Sequence, residues 1–233
     1  MEPALATHNP PMGHLYLVRH GQASLGAADY DQLSPLGQQQ SVRLGEYFAS
    51  KSIQFEAVLT GTLRRHTQTY AGICLGSNTH LVALPWPGLD EYDSAALIAA
   101  IHPAPLPPPT EPEAYRQHFR LLRDGLTQWM NGVLSPHGMA RYEDFRHGVV
   151  SALDHVRRQY RGNVLIVSSG GPISTAVGHI LGTTPETTIA LNLQIRNSAI
   201  TEFVFTPKRH LLQTFNTLPH LEHADYASWV TAA

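Results

Sequence analysis

A chain of 233 residues with 42% hydrophobic side chains is long enough to bury a substantial core, as one large domain or one domain carrying a sizeable insertion. Its formal net charge of −2 leaves no basic excess to neutralise a run of phosphates, which excludes a dedicated nucleic-acid partner but not a small anionic ligand. The single cysteine, Cys74, allows no intramolecular disulfide, no apolar run reaches the roughly 18 residues of a membrane span, and the first residues lack the basic start and apolar core of a signal peptide; a cytoplasmic protein with no membrane partner is expected.

In chain order, residues 1–13 with their three prolines read as a flexible leader, and His14 to Val18 as a first, short apolar strand. Ser34-Pro35 opens a helix, with Ser34 as N-cap and Leu36, Val42, Leu44, Tyr47 and Phe48 at roughly helical spacing. Ala57 to Thr60 is a second strand, Thr62 to Leu75 a helix with Gly76 as its C′ glycine, and Leu81 to Leu84 a third strand. Strands alternating with helices predict a mostly parallel sheet with helices on both faces. From Pro85 to about Pro136 the pattern changes: the proline-rich run from His102 to Pro112 propagates neither helix nor ladder, and the segment reads as an insertion crossing the surface. Helical spacing resumes over Glu113 to Met130 and again over Glu143 to Tyr160. Asn163 to Val167 is an unbroken apolar strand, followed by a helix from Pro172 to Leu181, two strands at Ala199 to Phe205 and His210 to Phe215, and a tail from about Pro219.

In such sheets ligands bind outside the carboxyl ends of the strands, so the residues just after strands carry the chemistry. Four segments stand there: Arg19-His20-Gly21-Gln22, Gly61-Thr62-Leu63-Arg64-Arg65-His66, Leu89-Asp90-Glu91-Tyr92 and Ser168-Ser169-Gly170-Gly171-Pro172. Together they supply guanidinium groups, an imidazole, a carboxyl group and a helix N-terminus, a set suited to a phosphoryl group. Arginine forks match phosphate oxygens, a neutral imidazole attacks phosphorus, a protonated carboxyl group protonates the leaving oxygen, and the Gly-Gly-Pro turn adds backbone N–H groups. Each piece alone has an ordinary structural reading; their order after successive strands is what gives them weight.

Leu15-Tyr16-Leu17-Val18-Arg19-His20-Gly21-Gln22-Ala23 resembles the signature of the histidine phosphatase superfamily, also called the phosphoglycerate mutase-like family. The likeness continues through Leu33-Ser34-Pro35-Leu36-Gly37-Gln38-Gln39-Gln40 and through Leu63-Arg64-Arg65-His66-Thr67-Gln68-Thr69, similar to the family's Leu-x-Arg-Ala-x-Gln-Thr. The resemblance implies an α/β fold, a three-layer α/β/α sandwich with a mostly parallel sheet and an inserted cap region: one domain over 14–233 with its cap at about 92–141. It implies His20 as nucleophile and Glu91 as proton donor. Arg19 and Arg65 would bind the phosphate, with Gln22, Ser169 and Gly170 completing the substrate-binding set, and no cofactor or metal is called for. The expected partner is a small phosphorylated substrate.

One position departs from the pattern. The family usually carries Val-x-Ser-His-Gly-Gly after its fourth core strand, with the histidine a second phosphate ligand, and here Ser169 stands in its place. His66 replaces the motif's usual alanine, but neighbours on a helix point about 100° apart, which argues against its filling the gap beside Arg65. Slow turnover is the consequence expected. The expected activity is a phosphomonoesterase acting through phosphorylated His20. Its rivals are a phosphoglycerate mutase-type transferase, weakened by the missing Arg-x-Tyr-Gly segment at Tyr92-Asp93-Ser94-Ala95, and a catalytically impaired phosphate-binding regulatory protein, which Ser169 favours. A serine hydrolase lacks its Gly-x-Ser-x-Gly elbow, and no His-Glu-x-x-His spacing organises the histidines for a metal. Substrate choice falls to the insertion, where Trp86, Tyr92, Tyr115, His118 and Tyr142 either face the pocket or form the cap's own core.

Overall fold

A computed structural model describes residues 12–24, 31–104, 106 and 112–232. Most of the leader expected at 1–13 lies outside the described residues, as does much of the proline-rich run; Gly13 already belongs to the first strand, β1 (Gly13–Arg19). Then follow α1 (Pro35–Ser50), β2 (Ala57–Thr60), α2 (Arg64–Ser77) and β3 (Leu84–Pro85). The inserted stretch holds α3 (Ser94–Ile101) and α4 (Pro112–Met130), after which come α5 (Tyr142–Gln159), β4 (Asn163–Ser168), α6 (Gly170–Leu181), α7 (Pro185–Asn192), β5 (Ile200–Phe205) and β6 (His210–Thr217). The expected N-cap at Ser34 is in place, its hydroxyl accepting from the Gly37 N–H at 3.1 Å.

The strands form one six-stranded sheet in the order β3-β2-β4-β1-β5-β6. The first four of these run parallel, and β5 and β6 are antiparallel additions at one edge, so the sheet is mostly parallel. Alternation along the strands divides the core. Leu15, Leu17, Leu59, Val164 and Ile166 face α5 and α6 and meet Val149, Leu153, Val156, Ile173 and Val177. Tyr16, Val18, Val58, Leu165 and Val167 face the other way, onto Leu44 and Phe48 of α1 and Ile73 of α2. The result is the expected three-layer α/β/α sandwich. A further apolar cluster joins α3, α4 and α7 through Leu97, Ile98, Leu122, Leu126, Trp129 and Ile189, giving the inserted region a core of its own.

Parallel register is what assembles the site. Arg19 lies opposite Ser168 and Thr60 opposite Val167, so β1, β2 and β4 end on the same side of the sheet, one step apart. The next residues hold that alignment, His20 N–H donating to the Ser168 carbonyl at 2.9 Å and Gly61 N–H to that of Val167 at 3.0 Å.

Three expectations need correction. Gly76 does not end α2; the helix runs on to Ser77 and turns at Asn78, whose φ of 53° is left-handed. Gly76 serves packing instead, since a Cβ there would sit 2.0 Å from the Val42 carbonyl oxygen of α1. The third strand is two residues long and begins at Leu84, because Leu81 and Val82 are exposed and pair with no neighbouring strand. The helix after β4 begins at Gly170, two residues before Pro172, with Ser169 at its N-cap position.

Candidate active site

His20 sits just beyond β1, 4% exposed, with its backbone fixed from both ends. Besides the bond to Ser168, its carbonyl accepts from Ser198 N–H at 3.2 Å. Its ring Nδ1 lies 2.7 Å from the Gly21 carbonyl oxygen, which accepts but cannot donate, so Nδ1 carries the proton. The other nitrogen, Nε2, keeps its lone pair and accepts a hydrogen bond from Arg65 Nε–H at 3.2 Å. Burial and then the positive charges of Arg19 and Arg65 hold the imidazole well below its usual range, so at neutral pH it is the uncharged, nucleophilic form.

The two arginines are held by different means. Arg19 donates from Nη1 to the Ile195 carbonyl, fixing it to the segment after α7. Arg65 comes from the first turn of α2, where Asp31 organises both chain and side chain: its carboxylate accepts from Arg64 N–H at 2.9 Å and pairs with Arg65 Nη1 at 2.9 Å. Asp31 does for α2 what the N-cap residue, Leu63, lacks the side chain to do.

Glu91 faces them. The Ser168 hydroxyl donates to the Leu89 carbonyl at 2.6 Å, tying the acidic loop to the end of β4. Both Glu91 carboxyl oxygens lie 3.2 Å from the Gly171 N–H, and Oε1 also accepts from Tyr92 N–H at 3.2 Å. Glu91 thereby caps α6. Enclosure by protein raises its affinity for a proton; the Gly171 N–H and the two arginines oppose this without cancelling it.

Arg19, His20, Arg65, Glu91 and Gly170 line one cavity of about 470 Å³. Gln22 and Ser169, expected among the binding residues, are not in its lining. The Gln22 amide oxygen accepts from the Ser34 hydroxyl at 2.8 Å, which draws the side chain into the start of α1. Ser169 is fully buried, and its hydroxyl makes no capping bond to α6; instead it shares a 2.7 Å hydrogen bond with His66 Nε2. The imidazole of His66 also stands 5.8 Å, centroid to centroid, from that of His20. Despite the 100° divergence along α2, both Arg65 and His66 lie near the His20 ring. Of the aromatic candidates, Tyr92, Tyr115 and His118 line the cavity together with Phe119, Leu122 and Leu193, which the sequence did not single out. Trp86 packs on His155, and Tyr142 on Trp129 in the core of the inserted region.

A parallel sheet whose strand ends gather a buried neutral histidine, two arginines and a capped carboxyl group offers the chemistry that a phosphoryl group requires. The profile of the histidine phosphatase superfamily (branch 1) matches residues 15–218, and the chain belongs to that superfamily. Solved structures of similar fold include a phosphoglycerate mutase from Bacillus anthracis, 18% identical with a TM-score of 0.64, covering 91% of this chain and 96% of that one. A phosphoserine phosphatase mutant from Entamoeba histolytica, in complex with phosphoserine, is 18% identical with a TM-score of 0.60, covering 90% and 99%. A putative alpha-ribazole-5'-P phosphatase from Escherichia coli is 18% identical with a TM-score of 0.64, covering 88% and 97%. No curated protein sequence matches the chain significantly. Among the described residues no helix is long and apolar enough to cross a membrane.

Proposed function

We propose that the protein is a metal-independent phosphomonoesterase that transfers the phosphoryl group of a small ester to Nε2 of His20 and then to water. The observation that carries this reading is the fixed tautomer of His20: with the proton on Nδ1 facing Gly21, Nε2 is the unprotonated nitrogen, and its lone pair accepts from Arg65 Nε–H in the cavity that Glu91 shares, a bond the guanidinium would exchange for a phosphate oxygen when the ester binds. In the first step Nε2 attacks phosphorus, the bond from phosphorus to the ester oxygen breaks, and that oxygen takes the proton of the Glu91 carboxyl group. In the second, the Glu91 carboxylate takes a proton from water as its oxygen attacks phosphorus, and the bond to Nε2 breaks to release phosphate. Arg19 and Arg65 supply the positive charge around the transferring group, and the N-terminus of α6 at Gly170 adds to it.

A phosphatase fits better than a mutase because of the opposite wall. Among the described lining residues Arg19 and Arg65 are the only lysines or arginines, and the inserted region contributes Asp93, Ser94 and His118 beside the apolar and aromatic Tyr92, Ala95, Tyr115, Phe119 and Leu122. A wall with a carboxylate of its own and no lysine or arginine favours an uncharged leaving group over one carrying a second carboxylate or phosphate. In this reading 92–141 is the cap of a single domain spanning 14–233, and it sets the choice of ester. The test is hydrolysis of an aryl phosphate in excess chelator: steady turnover in wild type with none in His20→Ala is the expected result, and strict dependence on a divalent ion overturns the metal-free route.

A further inference from the structure

Behind the nucleophile lies a second polar assembly that the mechanism above does not use. His66 is fully buried, yet it is an imidazole placed against two polar groups. On one side its Nε2 meets the Ser169 hydroxyl at 2.7 Å. On the other its Nδ1 stands 3.7 Å from Asp90 Oδ1, beyond hydrogen-bond range and an ion pair only when the ring is protonated, and Nδ1 makes no hydrogen bond. Asp90 is itself fixed by the N–H of Thr62 at 2.5 Å and by the Thr62 hydroxyl. The seat for the ring is built into the backbone, because a Cβ on Gly61 would lie 2.2 Å from His66 Nδ1. Finally, Ser169 holds the N-cap position of α6 without capping it; Glu91 caps the helix instead and leaves the serine hydroxyl for the imidazole.

The carboxylate, imidazole and hydroxyl follow the order of a serine hydrolase, but Ser169 is fully buried and does not line the cavity, so it is not placed to attack a substrate. What the assembly touches is His20, through the ring of His66 5.8 Å away, and the first turn of α6, through Ser169. We propose that His66 is a positioning residue for phosphoryl transfer, supplying from α2 and through Ser169 the imidazole that position 169 lacks. The inference rests on the phosphohistidine reading of the site. It replaces the expectation of a merely incomplete site: the histidine at position 66 and the serine at 169 are one exchange, and Ser169→His alone would drive a second imidazole into the space His66 fills.

The exchange can be reversed. Aryl phosphate hydrolysis and binding of inorganic phosphate are measured for wild type, His66→Ala, His66→Gln, Ser169→His and the double variant His66→Ala with Ser169→His. Each of His66→Ala and Ser169→His should lose on the order of 10- to 100-fold in kcat with KM changed by only a few fold, as for a group felt mainly in the transition state. The double variant should exceed both, a coupling that independent sites do not produce. His66→Gln keeps an amide that can bond the Ser169 hydroxyl near the place of Nε2 but cannot take a proton. It should therefore hold its thermal midpoint yet take up fewer protons on binding phosphate than wild type does. His20 and Asp90 lie beside the ring, Arg65 and Asp31 act on it through their charge, and all four are unchanged across the set, so the difference isolates position 66. Wild-type kcat in His66→Ala, a double variant no better than the product of the singles, or wild-type proton uptake in His66→Gln overturns the proposal. A His20→Ala control that retains turnover overturns the phosphohistidine reading instead, and the phosphate-binding series then decides on His66 by itself.

Discussion

Glu91 serves two purposes that pull its proton in opposite directions. As the cap of α6 it accepts from Gly171 N–H and is favoured as a carboxylate, whereas its enclosure favours the neutral acid, and enclosure wins. A raised affinity for a proton suits a group that must protonate a leaving oxygen near neutral pH. Glu91→Gln retains an oxygen to accept from Gly171 but has no proton to transfer. Hydrolysis of alkyl esters, whose leaving oxygens need that proton, should therefore fall by about 10²- to 10⁴-fold, and that of aryl esters with good leaving groups much less. Equal losses on both classes would make Glu91 a helix cap and nothing more.

Arg19, His20, Arg65 and Glu91 stand out in the sequence because they lie in segments just after strands and match a family's motifs, and strands in parallel register bring those segments to one cavity. The residues that escaped the sequence are those placed by long-range packing. Asp31 lies 33 positions before the Arg64 N–H it accepts from, and nothing local marks it. His66 was set aside on helix geometry alone, which gives the direction of a Cβ and not what lies beneath it. Only the structure reveals the space left by Gly61 and the hydroxyl freed at Ser169.

At the scale of elements, α1 and α2 pack backbone against backbone. This packing depends on Gly45, Gly72 and Gly76: a Cβ on Gly76 would lie 2.0 Å from the Val42 carbonyl oxygen, and one on Gly45 2.2 Å from that of Ile73. The obstructing atoms are main chain and cannot rotate away, so Gly76→Ala should cost about 1–3 kcal/mol through forced separation of the helices, despite alanine's higher helix propensity. The neighbouring Leu75, 75% exposed, is the control, and Leu75→Ala should fall within roughly 0.5 kcal/mol of wild type. Chemical denaturation of both variants decides the matter; a stabilised Gly76→Ala would mean that the helices separate without loss. A glycine near the end of a helical pattern has two uses, a left-handed turn or a close contact, and the sequence does not say which. The short elements α3 and α7 were missed because eight residues offer too little periodicity, although Thr184-Pro185 before α7 carries a legible start: the Thr184 hydroxyl accepts from Thr187 N–H, with proline at the first turn.

For the whole molecule, the alternation of strands and helices was enough to predict three layers, because burial on both faces shows directly in an unbroken apolar run such as Val164 to Val167. The fold also buries histidines, and this sets its response to acid. Burial, then Arg43, pushes His220 down to about 3; burial, then Arg157, pushes His210 down to about 4. The unfolded chain takes up these protons from about pH 6.5 downward, while the folded protein refuses them until pH 4 to 3. Their contribution is complete above pH 6.5 and is lost progressively as the pH falls through that window. The thermal midpoint should therefore drop between pH 7 and pH 5, and His220→Gln should make the drop shallower; an unchanged slope would remove His220 from the account.

The central claim is that the phosphoryl group passes through His20, and rapid chemical quench during turnover of a radiolabelled ester tests it most directly. The account predicts a phosphoenzyme that is stable in alkali and labile in acid, approaching one phosphoryl group per chain, mapped to the peptide bearing His20 and absent from His20→Ala. Turnover with no protein-bound phosphoryl group, or with the label on another residue, would contradict it.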